Sequence, residues 1–278
     1  MTRADSKTLV NGRTAEVVPI DDRGFRYGDG VFETIAVRNG APEFWLRHLQ
    51  RLRQGAARLG IAAPAGSQLA EEAKRLLEPA CEGVLRIWLT RGRTDAGKPE
   101  SPEPTRVLRL SPFPNLPDVA EKGVRARLCQ TRLGRNPALA GIKHMNRLEQ
   151  VLAAREWTDT AIAEGLMLDT DGNLVEGTKT NVFFVNGERL LTPELRAAGV
   201  AGVLREVVLE EVAGLKLTVE VRPIALAEAL GAEACFLTNS LIHLWPVCAL
   251  EERRYAIPPL LQALAARVRA LAEAESGF

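Results

Sequence analysis

The chain has 278 residues, of which 46% are hydrophobic and 26% charged, and its formal net charge at pH 7 is +1. This composition indicates a globular protein with room for two domains of roughly 100–200 residues each, and the balanced charge excludes a global basic field that would recruit nucleic acid or an anionic membrane. The N-terminal residues lack the apolar core of a signal peptide, and no apolar run approaches the ~20 residues of a membrane span. We therefore expect a cytosolic protein whose partner is a small molecule, with no nucleic acid and no membrane partner.

The cysteines and histidines predict neither a metal site nor a disulfide framework. The four cysteines are widely spaced without a C-x-x-C pair, and the three histidines form no ligand cluster. A Ser-His-Asp triad is equally unsupported.

The first segment alternates apolar and polar residues in short runs. The runs predict strands at Thr8–Val10, Glu16–Ile20 and Val31–Val37, with turns at Asn11-Gly12 and Asn39-Gly40.

Helical spacing of leucines then predicts a helix over Arg47–Leu59, and a second helix follows at about Gln68–Leu77. Strands are predicted again at Val84–Leu89 and Arg106–Leu110. Residues 1–110 are thus expected to form a small α+β domain.

The proline-rich stretch Ser111–Pro117 rules out a regular helix and predicts an extended linker over residues 111–122. A larger domain is expected over residues 123–278. Its predicted elements are strands near Val124–Leu128, Leu166–Leu168, Val182–Val185 and Leu217–Val221, helices at about Asn146–Glu164, Val203–Val212 and Pro259–Glu275, and an apolar stretch at Ala234–Leu237.

Lys143 is the first candidate catalytic residue, because only seven of the 36 basic residues are Lys. A Lys beside Gly141 and Ile142 can do what Arg cannot, which is lose a proton and attack a carbonyl carbon. Desolvation against Ile142 and Met145 would lower its pKa and favour the neutral amine. The alternative is a solvated Lys at a helix start.

Glu176 is a second candidate, in a segment that follows the turn at Asp171-Gly172-Asn173 and precedes an apolar strand. It could be a surface carboxylate that closes a hairpin. It could also be held against the nitrogen of a pyridine ring, which would keep that ring protonated and electron-withdrawing.

A phosphate site is suggested by Gly199–Gly202, because these residues precede a predicted helix whose free backbone N–H groups favour an anion. Ser240 could present a hydroxyl to the same group, and Arg51 could offer a guanidinium. Arg51 could equally lie on a solvated helix face.

These motifs, taken in order, resemble the fold-type IV enzymes that use pyridoxal 5'-phosphate (PLP), also called class IV aminotransferases. The similarity covers nearly the whole chain and rests on Tyr27-Gly28-Asp29-Gly30-Val31-Phe32-Glu33, Gln50-Arg51-Leu52, Lys143, Glu176-Gly177 with Asn181, Gly202-Val203, and the segment from Ser240 to Pro246-Val247. The resemblance implies a two-domain fold like that of D-amino acid aminotransferase and a homodimer.

The resemblance also implies roles for particular residues. Lys143 would carry PLP, and Glu176 would contact its pyridine nitrogen. Its phosphate would be held by Arg51, Ser240 and the backbone of two residues, namely Val203 and Leu204.

Within the family, the flanks of Lys143 and the position of Thr34 are most similar to aminodeoxychorismate lyases, whereas the Arg of branched-chain transaminases is missing after Glu33-Thr34-Ile35. The chain departs from the lyases after Arg91-Gly92, where their glycine-rich loop ending in Arg-Gly-Tyr is absent. The sequence therefore leaves three candidates for binding the substrate carboxylates, which are Arg91, Arg93 and Arg135.

A lyase of this kind would convert 4-amino-4-deoxychorismate to 4-aminobenzoate and pyruvate, a step toward folate. Lys143, released by the substrate amine, would remove the proton from the ring carbon that bears the nitrogen, and Thr34 would help to protonate the departing enolpyruvate. Two alternatives remain. One is a transaminase for D-amino acids, branched-chain amino acids or amines, and the other is a catalytically silent PLP-binding protein.

Overall fold

The computed structural model describes residues 7–93, 103–116, 122–215 and 217–278. The chain divides into two compact units, each with its own core. Unit 1 comprises Met1–Asn115, Ile142–Asn146 and Ala272–Phe278, and unit 2 comprises Leu116–Gly141 and Arg147–Leu271.

Unit 1 consists of an antiparallel sheet and helices. Within the described residues its elements are β1 (Lys7–Val10), β2 (Arg13–Thr14), α1 (Arg23–Tyr27), β3 (Gly30–Arg38), β4 (Ala41–Pro42), α2 (Trp45–Leu59), α3 (Gly66–Lys74), β5 (Gly83–Thr90) and β6 (Thr105–Ser111). The six strands lie in the order β2-β1-β6-β5-β3-β4.

The alternation of side chains along β3 decides how the sheet is covered. Val31 and Ile35 are buried in one core with Leu49 and Leu52 of α2. Because successive side chains of a strand point to opposite faces, Glu33 shares the α2 face with Val31 and Ile35, whereas Phe32 and Thr34 point away from α2.

The prediction of a strand at Glu16–Ile20 is wrong. These residues form an exposed loop, in which Val17 and Ile20 keep 76% and 75% of their surface exposed. Pro19 lacks the N–H that a paired strand would donate, and its carbonyl instead accepts a turn hydrogen bond from Asp22.

Unit 2 is built on a larger, mixed sheet. Its described elements are β7 (Val124–Leu128), α4 (Leu148–Ala154), β8 (Ile162–Leu168), β9 (Asn173–Gly177), β10 (Asn181–Asn186), β11 (Arg189–Pro193), α5 (Val203–Glu211), a 3-10 turn at Val212–Leu215, β12 (Thr218–Arg222), β13 (Ile224–Ala225), α6 (Leu226–Gly231), β14 (Ala234–Asn239), β15 (His243–Leu250), β16 (Arg253–Arg254) and α7 (Pro259–Ala274), whose last residues belong to unit 1. The main strand order is β12-β11-β10-β14-β15-β7-β8-β9-β13, and β16 pairs with β15.

Parallel pairing joins β7 to β8 and β15, and also β11 to β12. Apolar side chains of β10, β14 and β15 form a core that includes Phe184 and Leu237. The alternate residues Phe183 and Phe236 point to the opposite face of the sheet, where their rings stack with centroids 4.8 Å apart. The mixture of helices with antiparallel and parallel strands confirms the α+β class.

The predicted long helix at Asn146–Glu164 is also wrong. Helix α4 covers only Leu148–Ala154, and Ile162 already begins β8. The side chain of Asp159 accepts a hydrogen bond from the Ala161 N–H at 2.9 Å, and the Asp159 carbonyl accepts one from Ile162. Helix α4 has already ended at Ala154, and this turn leads the chain directly into β8, where pairing with β7 draws the apolar residues into the sheet.

The other predicted elements of the two units are confirmed to within a few residues. The turn at Asn11-Gly12 has both φ angles positive, at 49° and 76°, as a tight hairpin between β1 and β2 requires. In the part of the chain that the structure describes, no helix is long and apolar enough to cross a membrane.

Candidate active site

Lys143 lies on a short segment that runs along the free edge of β3. The Lys143 carbonyl accepts a hydrogen bond from the Phe32 N–H at 3.0 Å, and the Met145 N–H donates to the Gly30 carbonyl at 2.9 Å. The Nζ atom of Lys143 lies 4.4 Å from the centroid of the Phe32 ring. Backbone pairing thus fixes Lys143 against the sheet, and the ring of Phe32 orients its amine.

The face of the sheet that carries Phe32 also carries Thr34, two residues further along β3. Trp88 opposes Phe32 on β5, and Arg86 opposes Thr34. Directly opposed residues of antiparallel strands share a face. The Lys143 amine and the Thr34 hydroxyl, two predicted catalytic groups, are therefore on the same side of unit 1.

The opposite face of β3 holds a buried charge cluster that includes Arg51. The Glu33 carboxylate is fully buried, accepts a hydrogen bond from Arg51 Nε at 2.8 Å, and lies 2.6 Å from His48 Nδ1. Burial raises the pKa of Glu33, but the charges of Arg51 and His48 outweigh it and lower this pKa to about 2. Burial lowers the pKa of His48 more than Glu33 raises it. Arg51 is consequently held by an ionised carboxylate, which His48 also contacts.

The three arginines predicted to bind substrate are each paired with carboxylates. Arg91 donates to both oxygens of Asp29, at 2.9 and 3.1 Å, and also to two backbone carbonyls. Arg93 pairs with Asp21 on the surface, and Arg135 pairs with Asp169 and Asp171 in unit 2.

Glu176 is the last residue but one of β9, and only 3% of it is exposed. Its Oε2 atom accepts a hydrogen bond from the Val200 N–H at 2.8 Å, and its Oε1 atom lies 3.4 Å from Nη2 of Arg147. An amide dipole and a guanidinium thus stabilise the negative charge of a buried carboxylate, which would otherwise be costly.

The glycine segment before α5 is fixed on both sides. Asn181 Nδ2 donates to the Val200 carbonyl at 2.9 Å, and the Gly141 N–H donates to the Gly199 carbonyl at 2.9 Å. A Cβ at Gly202 would come within 2.0 Å of the Asn181 amide oxygen, so any larger residue would displace the Asn181 side chain. No side chain in the described ranges caps α5, so the first N–H groups of the helix can serve an anion.

A buried hydroxyl supplies a further donor on β14. Thr238 pairs with Asn181 across the sheet, is 1% exposed, and its Oγ1 atom makes no hydrogen bond. Such an atom is costly to bury unless a ligand or water pairs with it. The predicted residue Ser240 lies two positions later, in the turn after β14. The free helix start and the orphaned hydroxyl fit a phosphorylated cofactor.

Comparison with known proteins agrees with this geometry. Residues 30–250 match the model of the amino-transferase class IV family, which is more than half of the chain. The chain belongs to this family.

Several class IV proteins are similar over most of their length. An aminodeoxychorismate lyase of Vibrio harveyi is 35% identical over 87% of this chain and 90% of its own. A crystal structure of 4-amino-4-deoxychorismate lyase from Pseudomonas aeruginosa superposes with a TM-score of 0.89, at 41% identity, over 95% of this chain and 98% of that one. A D-alanine aminotransferase of Bacillus licheniformis is 27% identical over 88% of each chain.

Sequence reasoning missed four charged or titratable neighbours of the predicted residues. Glu33 contacts both Arg51 and His48, Arg86 lies opposite Thr34, and Arg147 lies beside Glu176. A lone charged residue inside an apolar strand is the signal that could have found Glu33 and Arg86. Arg147 gives no such signal, because a basic residue at the start of a helix is ordinarily solvated.

Proposed function

We propose that this class IV protein is a PLP-dependent aminodeoxychorismate lyase that converts 4-amino-4-deoxychorismate to 4-aminobenzoate and pyruvate. The observation that carries the proposal is the position of Lys143 Nζ, 4.4 Å from the Phe32 ring on the face that also bears Thr34. The similar lyases of Vibrio harveyi and Pseudomonas aeruginosa support it.

The reaction requires two bonds to break in the substrate. Lys143, as a neutral amine, takes the proton from the ring carbon that bears the nitrogen. The C–O bond to the neighbouring enolpyruvyl group then breaks, and the oxygen leaves with the electron pair. The Thr34 hydroxyl is placed to pass a proton to the departing enolpyruvate, which becomes pyruvate. The reaction balances without water, an oxidant or a reductant.

The remaining residues would hold the cofactor. PLP, when bound, supplies an electron-withdrawing pyridinium ring. Glu176 would keep the ring nitrogen protonated, and Lys143 would form the covalent link. The phosphate would be bound by Arg51, Ser240 and the N–H groups of two residues, Val203 and Leu204, and we add the orphaned hydroxyl of Thr238 to this set.

The test is an assay of the purified protein loaded with PLP and supplied with aminodeoxychorismate. We expect 4-aminobenzoate and pyruvate in equal amounts, with no keto acid required. The competing activity is transamination, because the chain is also similar to a D-alanine aminotransferase. If D-alanine and a keto acid react and aminodeoxychorismate gives no product, the lyase proposal fails.

We further propose that the protein is a homodimer. Four large apolar side chains around α1 are at least half exposed, and such a patch commonly marks an interface. They are Val17, Ile20, Phe25 and Tyr27. Sedimentation of the purified protein should give twice the chain mass, and a monomeric mass at micromolar concentration would contradict this.

A cytosolic location is also proposed. All four cysteines are free thiols, as expected in a reducing compartment. Fractionation of the source cells with an antibody against the protein would check it.

A further inference from the structure

The half-buried face of the unit 1 sheet that bears Thr34 carries one more charged group in register with the predicted catalytic residues. Arg86 on β5 lies directly opposite Thr34 on β3, and Lys143 Nζ lies over Phe32, two residues before Thr34. Same-face residues two apart on a strand are separated by about 7 Å, and opposed residues by about 5 Å. An amine, a hydroxyl and a guanidinium therefore follow one another across a distance that a small ring with one substituent can span.

The charge of Arg86 is not neutralised. Its neighbour across the sheet is another cation, Arg109 on β6, and the partner of its Nη1 atom is the hydroxyl of Ser111 at 2.9 Å. Within the described ranges neither arginine pairs with a carboxylate. Burial, and then the charge of Arg109, lower the pKa of Arg86. The half-buried guanidinium of Arg86 and the exposed one of Arg109 repel each other, and a bound anion would relieve that repulsion.

The order of groups identifies which anion fits. We propose that Arg86 binds the carboxylate of the enolpyruvyl group in the substrate, an assignment that rests on the proposed lyase function. Lys143 acts at the ring carbon with the nitrogen, Thr34 acts at the leaving group on the next carbon, and the carboxylate of that leaving group comes next, where Arg86 lies. A guanidinium can hold a carboxylate through two parallel hydrogen bonds. Arg86 is thus a residue that determines specificity for an enolpyruvyl ether.

The experiment uses two probes that carry a hydroxyl where the substrate has its amine, so neither can react with the cofactor. Chorismate has both the ring carboxylate and the enolpyruvyl carboxylate, whereas 4-hydroxybenzoate has the ring carboxylate alone. Dissociation constants for both are measured by calorimetry on the PLP-loaded protein and on Arg86→Gln.

We expect Arg86→Gln to weaken chorismate binding by about 10- to 100-fold, which is the cost of losing a charge-assisted hydrogen bond. Binding of 4-hydroxybenzoate should change by less than about twofold. Arg86→Lys keeps the charge without the paired geometry, so its effect on chorismate should be intermediate, and it serves if Arg86→Gln does not fold. The matched control is Arg38→Gln, a β3 arginine already paired with Glu43 at 3.1 Å, which should bind both probes like the wild type.

The outcomes separate this assignment from the proposed function. If wild type binds chorismate and Arg86→Gln binds it equally well, the role of Arg86 is refuted while the lyase proposal stands. An equal loss of affinity for both probes would indicate that Arg86 binds the ring carboxylate, and would overturn the assignment. A wild type that neither binds chorismate nor forms 4-aminobenzoate would overturn both proposals.

Discussion

The two faces of the unit 1 sheet differ in whether their arginines are paired with carboxylates. On the face packed by α2, Arg51 is joined to the buried Glu33 carboxylate with His48 beside it. On the other face, Arg86 lies next to Arg109 without a carboxylate partner in the described residues. Both arginines lie close to β3, yet only the first is neutralised by the chain itself.

Arg51 is therefore held in place by a carboxylate of the chain, whereas the positive charge of Arg86 is not balanced by any described carboxylate. Breaking a buried pair leaves an uncompensated ion, so the Glu33 cluster should contribute strongly to stability. Repulsion between Arg86 and Arg109 costs free energy until an anion binds. Arg86 should therefore contribute to ligand binding and not to the stability of the fold. The following experiments test that division.

Lys143→Ala should give the largest effect, because it removes the amine from the substrate face. Loss of both the covalent link and the base should lower kcat/KM for aminodeoxychorismate by about 10⁴-fold. Borohydride reduction and peptide mapping should find PLP on Lys143 of wild type and on no lysine of the variant. Lys74→Ala, on the surface of α3, is the control and should retain both properties. Cofactor covalently attached to another lysine in wild type would refute the site.

Glu33→Gln tests the neutralised face. It leaves Arg51 partly buried without its carboxylate, and the free energy of unfolding should fall by about 3 kcal/mol. Urea denaturation at neutral pH measures this. Arg86→Gln, measured in parallel, should cost less than about 1 kcal/mol because it removes a repulsion. An equal fall in the free energy of unfolding of the two variants would contradict the proposed difference between the faces.

Acid should act through the same carboxylate. The pKa of Glu33 in the folded chain is about 2, below its ordinary 4.5. A depressed carboxyl pKa contributes stability that is complete above pH 4.5 and is lost as the pH falls toward 2, by about 3 kcal/mol in total. The stability gap between wild type and Glu33→Gln should therefore narrow over this range in urea titrations. A gap that stays constant down to pH 2 would contradict the ionised state of Glu33.

Arg147→Gln should give the smallest loss of function, because Arg147, in unit 2, is paired with a carboxylate less closely than Arg51 is. It approaches Glu176 at 3.4 Å and remains partly exposed. Removing it should weaken PLP binding by about tenfold, the scale on which loss of an outer-shell partner weakens a bound metal ion. Titration of the apoprotein with PLP measures the change. Arg127→Gln is the matched control, since Arg127 is as exposed and lies 3.7 Å from Glu156; a similar loss there would indicate a general effect on unit 2.

Local patterns predicted most strands and helices, because alternation and helical spacing depend on neighbours in the chain. They failed at Asn146–Glu164, where a turn at Asp159 and pairing with β7 prevail over helical propensity. They also failed at Glu16–Ile20, because none of the described strands pairs with this alternating segment. Pairing partners lie far away in sequence, and for this reason strand formation is the less local property.

Of the candidate site, the sequence by itself determined the chemistry available: a Lys amine, a Thr hydroxyl, a carboxylate and a glycine-led helix, arranged in the order of the class IV family. Only the tertiary structure decided which arginine shares a face with Lys143 and Thr34. That choice depends on the register of β5 against β3, and a shift of one residue would turn Arg86 to the opposite face. Register is set by long-range hydrogen bonds and core packing, whereas residue chemistry is present in the chain before it folds.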